Sequence, residues 1–147
     1  MSVETLKSVR LSKTVTVDRQ RAWDAWTQPD QMKQWASPEY ATVVGVGVDL
    51  RVGGQYRIEM SVEGDLHVAH GSYKEIDPPA RLVYTWDWEG PHAMGVETVV
   101  TVDFLEVDGG TEVRVTHEGL PSDEVRDSHL QGWSSCLEGY DSLFTAP

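Results

Sequence analysis

The last part of the chain carries apolar residues at helical spacing, after a long region with the two-residue alternation of β-strands. Between positions 123 and 144, apolar and aromatic side chains recur every three or four residues and so share one face of a predicted helix. They are Val125, His129, Trp133, Cys136, Leu137, Tyr140, Leu143 and Phe144. A single helix after a series of strands can pack only on the concave face of their sheet. If the contact is partial, a cavity with aromatic walls remains between them.

The region before this helix alternates in short runs separated by turn signals, which predicts six strands. They cover 42–48, 55–62, 66–76, 81–88, 96–107 and 112–117, with a loop at 118–122. The second of them places Tyr56, Ile58, Met60 and Val62 on one face, and the fourth does the same for Leu82, Tyr84, Trp86 and Trp88. The connections are too short for crossover helices, so we expect an antiparallel sheet.

The chain begins with a predicted strand at 8–17 and two short helices. Asp18 is a candidate N-cap for a helix over 19–28, and Pro29 opens a second one that runs through Met32 to Trp35. We expect Trp23, Trp26 and Trp35 to pack these helices against the rim of the sheet. The element order predicts an α+β fold, and the absence of repeats or linkers in the sequence predicts one domain over 1–147.

Composition narrows the classes of partner. The net charge of −12 disfavours nucleic acid, and we interpret it as a soluble surface rather than an acidic docking site. A single cysteine fits a reducing compartment. We find no signal peptide and no run long enough to insert into a membrane, so we expect a cytoplasmic protein.

Several motifs follow one another along nearly the whole chain. They are AWDAWT at 22–27 with Trp35, DLRVGGQY at 49–56, GSYKEIDPPARLVYTW at 71–86, Gly110-Thr111, HEGL at 117–120 and Gly132-Trp133. In this order they resemble the START-like, or SRPBCC, superfamily. The branch they are most similar to is that of bacterial proteins homologous to the C-terminal domain of the heat-shock-protein (Hsp) ATPase activator.

This resemblance implies a helix-grip (Bet-v-type) fold, in which a curved sheet of about seven strands surrounds a long C-terminal helix. Members typically hold a hydrophobic cavity there. They include lipid carriers, plant allergens that bind hormones and flavonoids, polyketide aromatases and cyclases, and co-chaperone domains, so the fold does not fix the function. The co-chaperone activity depends on a separate N-terminal domain, which we expect this chain to lack.

Strand parity and the helical stripe together predict the residues that would contact a ligand. They are Tyr56, Ile58, Met60, Tyr84, Trp86, Trp88, Val113, Val115 and His117 on the strands, and His129, Trp133, Cys136 and Tyr140 on the helix. Such aromatics can stack a planar molecule, and the alternative is that they form an ordinary core.

Histidines are the main candidates for chemistry. His117 and His129 should meet at one end of the cavity, where they could bind a carboxylate or phenol or act as acid and base. The alternative is a pair hydrogen-bonded to the backbone. His67 and His70 should face opposite sides of a strand, which argues against joint metal binding, and we expect no metal site and no cofactor. His92 lies in a loop that could cover the mouth of the cavity.

Two further positions on the helix have structural interpretations. We expect Cys136 to be a buried structural thiol, because no neighbour in the helix would lower its pKa. Gly132 costs helix stability, and our hypothesis is that the sheet or a ligand approaches it closely, with a local bend as the alternative.

Three hypotheses about function follow. The first, which we favour, is a domain that binds a hydrophobic small molecule, either aromatic and polyketide-like or a lipid. The second is an enzyme of the polyketide cyclase, aromatase or hydrolase type that uses a cavity histidine. The third is a chaperone-associated or dimerising module, with a homodimer as one form, which predicts a filled core and an exposed apolar patch.

Overall fold

The computed structural model describes residues 7–145, and within them seven strands precede a long C-terminal helix. The strands are β1 (Lys7–Val15), β2 (Thr42–Val48), β3 (Gln55–Val62), β4 (Asp65–Asp77), β5 (Arg81–Trp88), β6 (Thr98–Val107) and β7 (Gly110–Leu120). The helices are α1 (Arg19–Thr27) and α2 (Pro29–Met32), which follow β1, and α3 (Asp123–Thr145). One 3-10 turn, Gly90–His92, follows β5.

All seven strands join in one antiparallel sheet with the order β1-β7-β6-β5-β4-β3-β2. Consecutive strands from β2 to β7 are neighbours, and β1 closes on β7 at the other side. The sheet curves around α3, which packs directly against β1 and β7. This arrangement confirms the predicted α+β helix-grip fold.

The inner face of the sheet follows the two-residue period of the sequence. On β6 the buried positions are Thr98, Val100, Val102 and Phe104, with partly exposed residues between them. Helix α3 buries Trp133, Leu137 and Tyr140 against this face. The Tyr140 hydroxyl also donates to the Ala22 carbonyl of α1 at 2.7 Å. Helices α1 and α3 are therefore joined inside the core.

The predicted N-cap of α1 is confirmed. The predicted elements β1, α1 and α2 each extend too far at their C-terminal ends. The Asp18 carboxylate accepts from the Arg21 amide at 2.8 Å, as an N-cap does. Strand β1 ends at Val15 rather than position 17, and α1 ends at Thr27 rather than position 28. Helix α2 ends at Met32, because the chain then continues in tighter bonds such as Trp35 N to Met32 O.

Strand β7 is longer than its hydrophobic pattern predicted. It extends to Leu120, so the expected loop at 118–122 is mostly strand. Pairing with β1 continues past Ser8 through an irregularity in register, and Gly119 accommodates it with a φ of 89°. Ser122 remains outside the strand and accepts from the Val125 amide at 3.1 Å, which caps the start of α3. Strand β6 begins at Thr98, two residues later than predicted.

No helix among residues 7–145 combines the length and the apolar character needed to cross a bilayer.

Gly71 provides a test of how tightly β4 and β5 approach each other. A Cβ at this position would collide with the backbone carbonyl of Thr85. We expect Gly71→Ala to lower the free energy of unfolding by about 1–3 kcal/mol, as overpacking does, measured by urea denaturation. Gly47→Ala in the edge strand β2 is the control, since nothing lies within 4 Å of a Cβ there. Equal stability of the two variants would contradict the close approach.

Candidate functional site

A cavity of about 420 Å³ lies between the sheet and α3, on the side of the sheet formed by β3, β4 and β5. Its wall is mostly apolar and aromatic. Besides these strands and α3, the wall includes Trp26 of α1, the segment around α2 and the turn after β5. A cavity of this volume is within the range that small-molecule sites occupy in proteins.

Nine of the thirteen residues predicted to contact a ligand lie in this wall. They are Tyr56, Ile58, Met60, Tyr84, Trp86, Trp88, His129, Trp133 and Cys136. Strand parity placed the six residues of β3 and β5 on the correct face, and the helical stripe did the same for the three of α3. Their contact with a ligand stays a prediction.

The other four predicted residues are fully buried but do not line the cavity, which corrects their expected place. Val113, Val115 and His117 lie on β7, which α3 covers directly. Tyr140 packs edge-on against Trp26 and Trp35, with ring centroids 5.1 and 4.9 Å away. Val113, Val115 and His117 face α3 as expected, but they are covered in the core, and Tyr140 of α3 packs toward α1.

Two tryptophans assigned to rim packing are part of the wall instead. Trp26 and Trp35 line the cavity, and their rings lie 4.5 Å apart. Trp26 is also nearly parallel to Trp133, at 14° and 6.1 Å between centroids. Only Trp23 packs purely in the core, edge-on to Phe104. The spacing of three placed Trp23 and Trp26 on one face of α1, but it did not show that Trp26 lines the cavity while Trp23 does not.

Three tyrosines form a cluster in the wall. Tyr56, Tyr73 and Tyr84 lie within 6.0 Å of one another between ring centroids. Burial raises the pKa of all three hydroxyls, which therefore keep their protons. Tyr73 was not predicted as a site residue, and its antiparallel pairing with Tyr84 is the signal that could have identified it.

His117 is fully enclosed and hydrogen-bonded on both ring nitrogens. Trp133 Nε1 donates to its Nδ1 at 3.1 Å, and its Nε2 lies 2.7 Å from Thr98 Oγ1. The Thr98 hydroxyl donates to the Trp86 carbonyl, so we assign the proton on the imidazole to Nε2. Burial, and secondarily His129, lowers the pKa of His117 to about 3. This ring is neutral at physiological pH.

His129 lies in the wall and is held in the same way. It accepts from Trp88 Nε1 at 3.2 Å, and its Nδ1 lies 2.8 Å from the Val125 carbonyl, to which it must donate. Burial lowers its pKa, against a smaller opposite effect of the Val125 bond. The two histidine rings are 5.2 Å apart, as the sequence predicted for this end of the fold. Because both nitrogens of each ring are engaged, neither ring has a lone pair free for a substrate proton.

Cys136 and Gly132 lie side by side on the cavity face of α3. Burial raises the pKa of the Cys136 thiol to about 12, so it is not a thiolate at neutral pH. The sheet does not approach Gly132 closely, since a Cβ there would meet only Pro38 Cγ at 3.8 Å. Gly132 borders the cavity itself.

Exposed residues in the wall mark the opening of the cavity. They are Tyr40, His92, Glu124 and Ser128. His92, in the turn after β5, stacks on His67 at 4.0 Å and 19°. The turn thus lies beside the opening, where the sequence placed a lid. Within residues 7–145, no three His, Cys, Asp or Glu side chains are grouped as metal ligands.

The neutral histidine pair predicts a loss of stability in mild acid. A histidine with a depressed folded pKa contributes fully above its unfolded pKa, and the contribution is lost as pH falls toward the folded pKa. For His117, whose folded pKa is about 3, this should lower the unfolding free energy by about 2 kcal/mol between about pH 6.5 and about pH 5, and His129 should act in the same direction. We expect His117→Gln to show a flatter dependence in urea unfolding at a series of pH values. A wild-type stability that is constant over this interval would contradict the assignment.

Comparison with known proteins agrees with the fold. The model of the family described as "Activator of Hsp90 ATPase homolog 1-like protein" matches residues 16–145. Among proteins with curated functions, none matches the chain significantly.

Solved structures with the same fold come from several bacteria. Protein CV1439 of Chromobacterium violaceum has a TM-score of 0.84 at 23% identity, with 95% of this chain and 98% of that chain covered. The AHSA1 protein (SPO3351) of Silicibacter pomeroyi has a TM-score of 0.83 at 24% identity, with 93% and 96% covered. CalU16 of Micromonospora echinospora has a TM-score of 0.71 at 22% identity, with 97% and 78% covered. Because the family model spans most of the sequence and the fold agrees with it, the chain belongs to the family of Activator of Hsp90 ATPase homolog 1-like proteins.

Proposed function

We propose that this protein binds a hydrophobic small molecule in the cavity between its sheet and α3. The observation that carries the proposal is the cavity of about 420 Å³ with its aromatic wall. Protein interiors are normally packed without voids larger than a water molecule. An apolar space of this size, open to solvent at one side, is typical of a binding site.

The shape of the wall favours a flat or extended ligand. Trp26 and Trp133 lie nearly parallel, and Trp86 of β5 packs at 44° to Trp133 of α3. Aromatic faces of this kind stack planar rings and also contact acyl chains. Binding would come mainly from removal of apolar surface from water, at about 25 cal/mol per Å².

Catalysis by a cavity histidine has less support. A cyclase, aromatase or hydrolase would need one imidazole with a free nitrogen facing its substrate. Of the two histidines predicted for this role, His129 lies in the wall, and both of its nitrogens are used in bonds to Trp88 and Val125. The interaction module also has less support, because its expected filled core contrasts with the open cavity.

Gly132 offers a way to fill the cavity without a loss of helix propensity. We expect Gly132→Leu to project a side chain past Pro38 into the cavity and to raise the Kd for the uncharged probe N-phenyl-1-naphthylamine about ten-fold or more. Fluorescence titration measures the Kd, and native mass spectrometry checks for a one-to-one complex. The unfolding free energy should not fall, because glycine is the poorer helix former by about 1 kcal/mol.

Gly132→Ala is the matched control for this test. Its added methyl group makes only an ordinary contact with Pro38, so probe affinity should stay within about two-fold of the wild type. Failure of the wild-type protein to bind the probe, or equal binding by Gly132→Leu, would contradict the proposed function.

A further inference from the structure

One hydrogen-bond donor in the cavity wall has no partner. Trp86 is only 8% exposed, and its Nε1 is the buried side-chain nitrogen or oxygen that stays unpaired among residues 7–145. A buried donor without an acceptor is destabilising, because the lost bonds to water are not replaced. Such groups are rare in native proteins and need an explanation.

The other tryptophans in the wall show that this is a particular property of Trp86. Each of their indole N–H groups donates to an acceptor within the protein. The pairs are Trp26 to the Tyr84 hydroxyl at 3.3 Å, Trp35 to the Ala25 carbonyl at 2.8 Å, Trp88 to His129 at 3.2 Å and Trp133 to His117 at 3.1 Å. Trp86 packs among Trp88, His117 and Trp133, where the acceptor nitrogens are already used.

A second group in the wall also has a proton to donate. The Tyr84 hydroxyl accepts from Trp26, and burial raises its pKa, so it keeps its proton. No side chain or carbonyl of the described residues accepts that proton within hydrogen-bond distance. Tyr84 and Trp86 are two residues apart on β5 and share its inner face. The part of the wall on β5 thus offers two hydrogen-bond donors.

The charges around the cavity limit which acceptor a ligand can bring. No lysine or arginine lies in the wall, and the one carboxylate there is Glu124 at the opening. An anionic ligand would therefore lose its hydration without a countercharge. A cation would suit the aromatic rings and Glu124 but would be repelled by an unpaired N–H dipole. An uncharged acceptor, such as a carbonyl oxygen, fits both observations.

We propose that the ligand is an uncharged, flat molecule whose carbonyl oxygen accepts a hydrogen bond from Trp86 Nε1. This inference rests on the proposed function and names the chemical class that the same cavity takes. Because Nε1 is closed off from solvent by its neighbours, the indole ring turns slightly within the wall when the carbonyl binds. The Tyr84 hydroxyl is the second donor available to a ligand with two acceptors.

The test compares 9-fluorenone with fluorene, which has the same three-ring shape without the carbonyl. We expect Trp86→Phe to lower the affinity for fluorenone, relative to that for fluorene, about ten-fold, as loss of one buried hydrogen bond does. Trp88→Phe is the matched control, because it removes an indole of the same face whose N–H is already bonded to His129. It should leave the ratio of the two affinities within about two-fold. Affinities come from tryptophan quenching or calorimetry.

Each outcome separates this inference from the proposed function. If both probes bind but Trp86→Phe leaves the ratio unchanged, the carbonyl inference is overturned and hydrophobic binding stands. If fluorene-9-carboxylate or the 9-fluorenylammonium ion binds more tightly than fluorenone, the uncharged class is overturned. If none of these probes and no N-phenyl-1-naphthylamine binds, the proposed function itself fails, and the inference fails with it.

A second readout uses the wild-type chain, in case Trp86→Phe does not fold. The protein has six tryptophans, so a ¹⁵N-labelled sample gives six indole N–H signals. We expect fluorenone to move one of them strongly downfield, as formation of a hydrogen bond does, while fluorene leaves it without such a shift. Saturating fluorenone with no downfield indole shift would overturn the inference.

Discussion

The contact between α3 and the sheet is the constraint on which the rest of this structure depends. The helix packs directly on β1 and β7, and near its C-terminal end Tyr140 is fully buried and bonded to Ala22. Toward its start the helix stands away from β3, β4 and β5, and the cavity lies in that gap. Because one helix both completes the core and forms the cavity wall, stability and binding share the same element.

Hydrogen bonds from indole rings hold the two sides of the cavity in place. Trp88 of β5 donates to His129 of α3, and Trp133 of α3 donates to His117 of β7. These bonds join helix and sheet through neutral imidazole rings that accept hydrogen bonds from the indoles. The surface carries the net charge of −12, while the wall holds a single carboxylate at its opening. This low charge of the wall supports the proposed uncharged ligand.

Membership of the family accounts for the fold, and the side chains of the cavity wall carry the proposed function. The solved structures described above share the backbone arrangement of this chain. Because all three are under 25% identical to it, this likeness concerns the fold alone. What a helix-grip protein binds depends on the side chains that face its cavity. In this chain those side chains are aromatic and rich in hydrogen-bond donors, and the indole N–H of Trp86 has no acceptor among the described residues.

The sequence by itself determined the elements, their order and the side of each strand that faces inward. Two-residue periodicity was sufficient to place Tyr56 and Trp86 in the wall, because alternation specifies a face. It carries no information on how far along that face the helix makes contact. His117 and Tyr140 were therefore expected in the cavity, but His117 lies beneath α3 and Tyr140 packs between α3 and α1. Trp26 and Trp35 were expected at the rim and line the cavity. Only the tertiary structure decided these positions, and the unpaired Trp86 N–H, since they depend on contacts between residues far apart in the chain.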